Sequence, residues 1–182
     1  ADSMLRIGRQ FHLLSDAALL GALIPSLGGF FHGLFWALEL PPLLLTMPIA
    51  YLEFIAAVIN VWMFHRFVCS GAALSHMHAS EFSQVVMHVD GLATPQILQD
   101  HSAHSEVMQY IHLRFMQSRA YRELEPSLVA GHCYSEFNVA ADACSRGCFD
   151  TLHTLCSQLG ITPRKLEVPP DIKLLMLEVY AQ

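Results

Sequence analysis

The sequence predicts a mostly α-helical membrane protein: a two-span transmembrane helical hairpin followed by a small, mainly helical extramembrane domain. Three observations carry that expectation. Of 182 residues, 53% are hydrophobic and 14% charged, with a mean hydropathy of +0.39, against about 25% charged in an average soluble domain. The 49 residues from Ala17 to His65 hold two formal charges, Glu39 and Glu53. That stretch is divided near its middle by Pro41-Pro42, and two successive prolines cannot continue a helix.

Residues 17–38 carry no formal charge. As a helix they would reach roughly 33 Å, enough to cross a hydrocarbon core of about 30 Å. Residues 43–65 form the second span, with Glu53 near its middle and the turn Glu39-Leu40-Pro41-Pro42 before it. Arg6 and Arg9 precede the first span and Arg66 follows the second, while the connecting turn has no Lys or Arg. The positive-inside bias then places both chain ends on the matrix or stroma side. The organisation is an N-terminal flank (1–16), the hairpin (17–68) and a matrix-side or stroma-side, mainly helical region (69–182).

In the first span Gly21, Pro25, Gly29 and Gly33 recur every four residues, and Gly29-Phe30-Phe31-His32-Gly33 matches G-x-x-x-G. On a membrane helix this is a strip without bulk, suited to close helix packing or to a bound lipid. Glu53 and Asn60, seven apart, share one helix face. An intramembrane carboxylate costs about 2.5–3.5 kcal/mol on insertion scales, so this pair is expected to face protein.

The region from 69 onward holds 7 basic and 12 acidic residues. Residues 80–89 fit a short strand and a helix end equally well, closing at Asp90-Gly91. Thr94-Pro95 starts a long amphipathic helix, broken around Ser102 and stopped at Glu125-Pro126. Two further helices are expected over 134–146 and 149–159, with Gly160 at the end, and a last one over 172–180. Phe137-Asn138, Ala143–Gly147 and Leu159–Pro163 together resemble one pentatricopeptide repeat. That resemblance implies a helical hairpin. No second copy is present, and solenoid units need about three neighbours to bury a core.

No residue stands out as a nucleophile or base: there is no G-x-S-x-G, phosphate-binding glycine loop or dinucleotide fingerprint. Candidate metal ligands are the histidine pairs His76/His78 and His101/His104, with His88, Glu106 or His112 as a third, and none forms a recognised zinc motif. His32 and His65 are candidate haem or pigment ligands. Cys69, Cys133, Cys144, Cys148 and Cys156 are odd in number and lack a C-x-x-C, which suits free thiols on a reducing side. A first residue of Ala1 suits a chain whose transit peptide has been removed.

Net charge is −6 and the isoelectric point near 6.0, so nucleic acid is not expected as a partner. The expected function is that of a non-catalytic accessory subunit, structural or for assembly, in a large energy-converting complex such as a respiratory complex or ATP synthase. Its expected place is the mitochondrial inner membrane, or else the thylakoid. No cofactor is expected, and partners are other membrane subunits and lipid. The alternatives are a haem- or pigment-binding electron-transfer subunit and a proton-handling membrane protein using Glu53.

Overall fold

The computed structural model describes residues 10–19, 21–69, 84–89, 94–95, 97, 105–132 and 138–181. Six strands form one mixed sheet: β1 (Gln10–Ala18), β2 (Ser26–Phe31), β3 (Leu34–Glu39), β4 (Gln84–Val89), β5 (Leu128–His132) and β6 (Arg164–Lys165), in the order β5-β4-β1-β2-β3-β6. β1, β2 and β3 are an antiparallel meander, β4 runs parallel to β1, β5 parallel to β4 and β6 parallel to β3. The described helices are α1 (Ile49–Phe64), α2 (Glu106–Gln117), α3 (Arg119–Leu124), α4 (Val139–Ser145), α5 (Phe149–Gln158) and α6 (Pro170–Tyr180).

This α/β architecture replaces the expected two-span hairpin. Residues 17–38 are not a helix: they contain the end of β1, all of β2 and most of β3. The reason is in the turns. His32-Gly33 joins β2 to β3 with both residues at positive φ (50° and 81°), the arrangement of a two-residue type I′ hairpin whose twist matches the strands it connects. Gly29 and Gly33 are therefore four apart across a strand and a turn, not along one helix face. Both faces of β2 are covered, so it reads in sequence as an unbroken apolar run, as a membrane span does.

The second stretch does contain a helix. Ile49–Cys69, α1 with the five-residue π turn that ends it, is 21 residues long, and 72% of its most apolar window is buried within the protein. α1 is buried almost all round, from Phe54 to Phe64 without interruption, which marks a central core helix. It lies against β1 and β2 on one side and meets α2, α3 and α6 on the other. With one such helix among the described residues, mostly enclosed, and with 17–38 holding strands, the hairpin and the membrane placement built on it both fall. Of the three arginines that supported the orientation, Arg6 and Arg9 lie outside the described residues, and Arg66 pairs with Asp171 at the start of α6.

Two adjacent glycines fix how the layers close on β2. Neighbouring residues in a strand face opposite sides. A Cβ at Gly28 would run into the backbone of Cys144 and Ser145 in α4, and one at Gly29 would run into the Trp36 indole and the Asn60 amide beside α1. The main core lies between the sheet and α1, with Phe11, Leu13, Leu27, Phe31, Trp36 and Ile59. A smaller cluster on the opposite face joins Phe35 to Ala143, Cys144, Leu152 and Cys156.

The later helices follow the expectation in part: α6 covers 172–180, α4 and α5 fall within 134–146 and 149–159, and the long helix expected from Thr94 is divided at Ser118, with 98–104 outside the described residues. Ser105 and Ser118 accept hydrogen bonds from the first turns of α2 and α3, so two capped helices stand in place of one long one. Residues 84–89 resolve as strand β4, and the pair over 134–159 as α4 and α5.

Candidate acidic site at the carboxyl ends of the central strands

β1 is where the chain changes direction within the sheet: β2 and β3 lie on one side of it, β4 and β5 on the other. In open α/β sheets such a switch point leaves a crevice outside the carboxyl ends of the parallel strands, the ordinary place for a ligand. Asp16 lies there, third from the end of β1 and 7% exposed, opposite Gly28 of β2. Phe11 packs on Phe64 of α1, so alternation turns Asp16 to the other face, toward α4.

α4 is tied down over this residue. Asn138, which precedes it and is almost fully buried, donates from Nδ2 to the carbonyl of Ser15 at 2.9 Å. Its Oδ1 is buried with no hydrogen-bond partner among the described residues. About two turns on, the Ser145 hydroxyl lies 3.4 Å from Oδ2 of Asp16 and 3.0 Å from the carbonyl of Asp142. Asp142, in the first turn of α4, accepts a 2.9 Å hydrogen bond from Nε of Arg146. The hydrogen bond to Asp142 holds the Arg146 guanidinium above its ordinary pKa, the Asp142 charge adds to it, and Asp16 contributes in the same direction.

Glu53 approaches the same end from the other face. α1 runs antiparallel to β1: Phe64 meets Phe11 near the start of the strand, and Nδ2 of Asn60 donates to the carbonyl of Leu14 at 3.0 Å. Two turns before Asn60, about 10.5 Å back along the helix, the half-buried Glu53 is level with the carboxyl end of β1. Asp90, the next residue in sequence after β4, lies outside the described residues.

Three acids thus reach one end of the sheet, two of them from positions the sequence reading did not single out. Asp16 was passed over as part of a flank. The signal it carried is an acid at the even position of an alternating run, Phe11-x-Leu13-x-Ser15-x-Ala17. Asp142 left a fainter one, an acid four residues before an arginine. Oxygen donors of this kind suit hard divalent cations. Among the described residues, however, no three His, Cys, Asp or Glu side chains come together to hold a metal ion, so these carboxylates do not by themselves fit one.

The other candidates are dispersed. Gly21 and Gly33 occupy turns, Pro25 precedes β2 and Gly29 is within it. Glu53 and Asn60 do share a face of α1, and Asn60 is an internal tie between helix and sheet. His32 is in the β2–β3 turn with its ring against Phe11. His65 bonds Glu123 at 2.5 Å and, with the Arg119 hydrogen bond next in weight, holds that carboxyl below its ordinary pKa. His76, His78, His101 and His104 lie outside the described residues. Burial pushes the thiols of Cys69 and Cys144 up to about 12, so neither is a ready nucleophile.

No family model matches the chain, and no curated protein matches it by sequence. Among solved structures it is similar to the crystal structure of RNase H1 from the halophilic archaeon Halobacterium salinarum NRC-1. Identity is 14% and the TM-score 0.51, over 78% of this chain and 98% of that one. The likeness is one of fold, and it corrects the functional expectation as well. The expectation of an accessory membrane subunit of a respiratory complex or ATP synthase rested on the two-span hairpin, which this RNase H-like α/β sheet with its enclosed apolar helix replaces. The placement in a mitochondrial or thylakoid membrane and the membrane and lipid partners lose their basis with it. The similar structure is that of an enzyme, so the expectation of a non-catalytic chain loses its support. The exclusion of nucleic acid rested on net charge alone, a property of the whole surface and not of a site.

Proposed function

We propose that this chain is a nucleic-acid-processing domain that hydrolyses phosphodiester bonds at the carboxyl ends of β1 and β4. The observation that carries the reading is Asp16, a carboxylate buried at the switch point of an RNase H-like sheet with α4 tied over it. A buried acid on a central strand costs stability, and such costs concentrate at functional sites.

The chemistry asked of the site is modest. Water attacks phosphorus, its proton passes to a carboxylate, and the bond from phosphorus to the leaving sugar oxygen breaks, that oxygen taking a proton from solvent to leave as a hydroxyl. Asp16 is held by a rigid strand and by the Ser145 hydroxyl, which suits a group that must orient water and accept its proton. Asp142 lies on α4 beside the Arg146 guanidinium, and Glu53 is level with the same strand end on the opposite face of the sheet. No step is assigned to a metal ion, since the described donors do not assemble around one.

The test is hydrolysis of end-labelled RNA, DNA and RNA–DNA duplex by the full chain, with and without Mg2+ or Mn2+. Cleavage of at least one substrate is expected, falling by about 100-fold or more in Asp16→Asn, in line with loss of a positioned acid–base group. Tight binding with no cleavage of any substrate would make the domain a binding module, and neither binding nor cleavage would overturn the reading.

A further inference from the structure

A cleft lined by carboxylates repels a polyanion, and this chain carries a net charge of −6. A nucleic-acid backbone drawn to Asp16 therefore needs a cation at the rim, and the structure holds one there. Arg146 follows the last residue of α4, and hydrogen bonds from Gly147 N–H to Cys144 O and from Cys148 N–H to Ala143 O fix that helix end. Its Nε contacts Asp142. Its Nη1 reaches the turn after β1, only 3.5 Å from where a Cβ on Gly21 would be. The guanidinium thus spans from α4 to the carboxyl end of the strand that bears Asp16.

We propose that Arg146 grips a backbone phosphate of the nucleic acid, with Asp142 holding the guanidinium in place until the phosphate replaces it. The proposal rests on the nucleic-acid reading of this site and adds the residue that admits the substrate. A guanidinium binds carboxylate and phosphate through the same planar fork of donors, so one partner can replace the other without rebuilding the site. The exchange releases the Asp142 carboxylate as the substrate arrives, so part of the acidic site is completed by what it acts on. Binding energy used in this way favours a correctly seated strand. The side chains of Arg146 and Asp142 are 38% and 44% exposed, so neither must leave a core for the exchange to occur.

The experiment is equilibrium binding of a fluorescently labelled RNA–DNA duplex and a single strand across a salt series. It compares wild type, Arg146→Ala, Arg146→Lys, Asp142→Asn and the Asp142→Asn/Arg146→Ala double variant. Circular dichroism and melting of each variant confirm that it folds. Arg146→Ala is expected to weaken binding about tenfold and to reduce the slope of log affinity against log salt by about one, the signature of one lost phosphate contact. Arg146→Lys keeps the charge and is expected to keep the slope. Asp142→Asn removes the carboxylate that competes with phosphate for the guanidinium and is expected to tighten binding several-fold, and that gain must vanish in the double variant.

A wild-type slope in Arg146→Ala, or a gain from Asp142→Asn that survives without Arg146, would overturn the proposal while leaving the nucleic-acid reading intact. A wild-type chain that binds neither probe would overturn both.

Discussion

The indole N–H of Trp36 donates a 2.8 Å hydrogen bond to Oδ1 of Asn60, and the same amide donates from Nδ2 to the carbonyl of Leu14 at 3.0 Å. One side chain on α1 thereby ties together β3 and β1, which are not neighbours in the sheet, through the space that Gly29 leaves open on β2 between them. Asn60 is 1% exposed and Trp36 fully buried, so water cannot replace what is lost.

Asn60→Ala is therefore expected to lower stability by about 3 kcal/mol, since unsatisfied buried groups cost about 1–3 kcal/mol each. Urea denaturation reads this directly. In Trp36→Phe the indole donor is already gone, so removing Asn60 there is expected to cost clearly less. Equal costs in the two backgrounds would mean that the bond contributes nothing to the fold.

Gly28→Ala tests the opposite face. Its Cβ would meet the backbone of Cys144 and Ser145, not the tip of a flexible side chain, so α4 must shift as a body. Overpacking of this kind costs about 1–3 kcal/mol. α4 carries both Ser145 and Asp142, so hydrolysis is expected to fall by at least tenfold under conditions where the variant is still folded. Activity unchanged at a lowered melting point would separate α4 from the site.

Helices were legible wherever one face was wet. α2, α3 and α6 alternate buried and exposed positions along 3.6-residue turns, and serine caps or a first-turn proline mark their starts. The sheet was illegible for the same reason in reverse. Phe30-Phe31 and Leu34-Phe35-Trp36 are enclosed on both faces, so no polar alternation survives to betray a strand. The hairpin signal was present in His32-Gly33 between those runs, and the four-residue glycine spacing masked it by suggesting a helical face. The acidic site was hidden differently: Asp16, Glu53 and Asp142 are far apart in sequence, and only the order of strands brings them to one end. Glu53 was singled out as an acid in an apolar helix expected to face protein, but that helix was read as a membrane span, whereas α1 is a core helix packed between the sheet and α2, α3 and α6.

The last prediction concerns α6, which is fastened by acids at both ends. Asp171 pairs with Arg66 at 2.5 Å, and Glu178 accepts from Nε of Arg114 and from the Tyr110 hydroxyl, each at 2.8 Å. The Arg66 hydrogen bond holds Asp171 below its ordinary value of 3.8, and the Arg114 hydrogen bond holds Glu178 below 4.5. Because the folded values are the lower ones, the stabilisation is complete above these ordinary values and is lost as pH falls through the folded ones. Acid below about pH 4 is therefore expected to loosen α6. Arg114, which also lies 5.7 Å from the Trp62 ring centroid, ties that indole to the same contact. Trp62 emission followed from pH 6 to pH 3 should change before far-UV circular dichroism does, and Glu178→Gln should remove most of that early change. Coincident transitions in wild type would mean that α6 leaves only when the whole fold does.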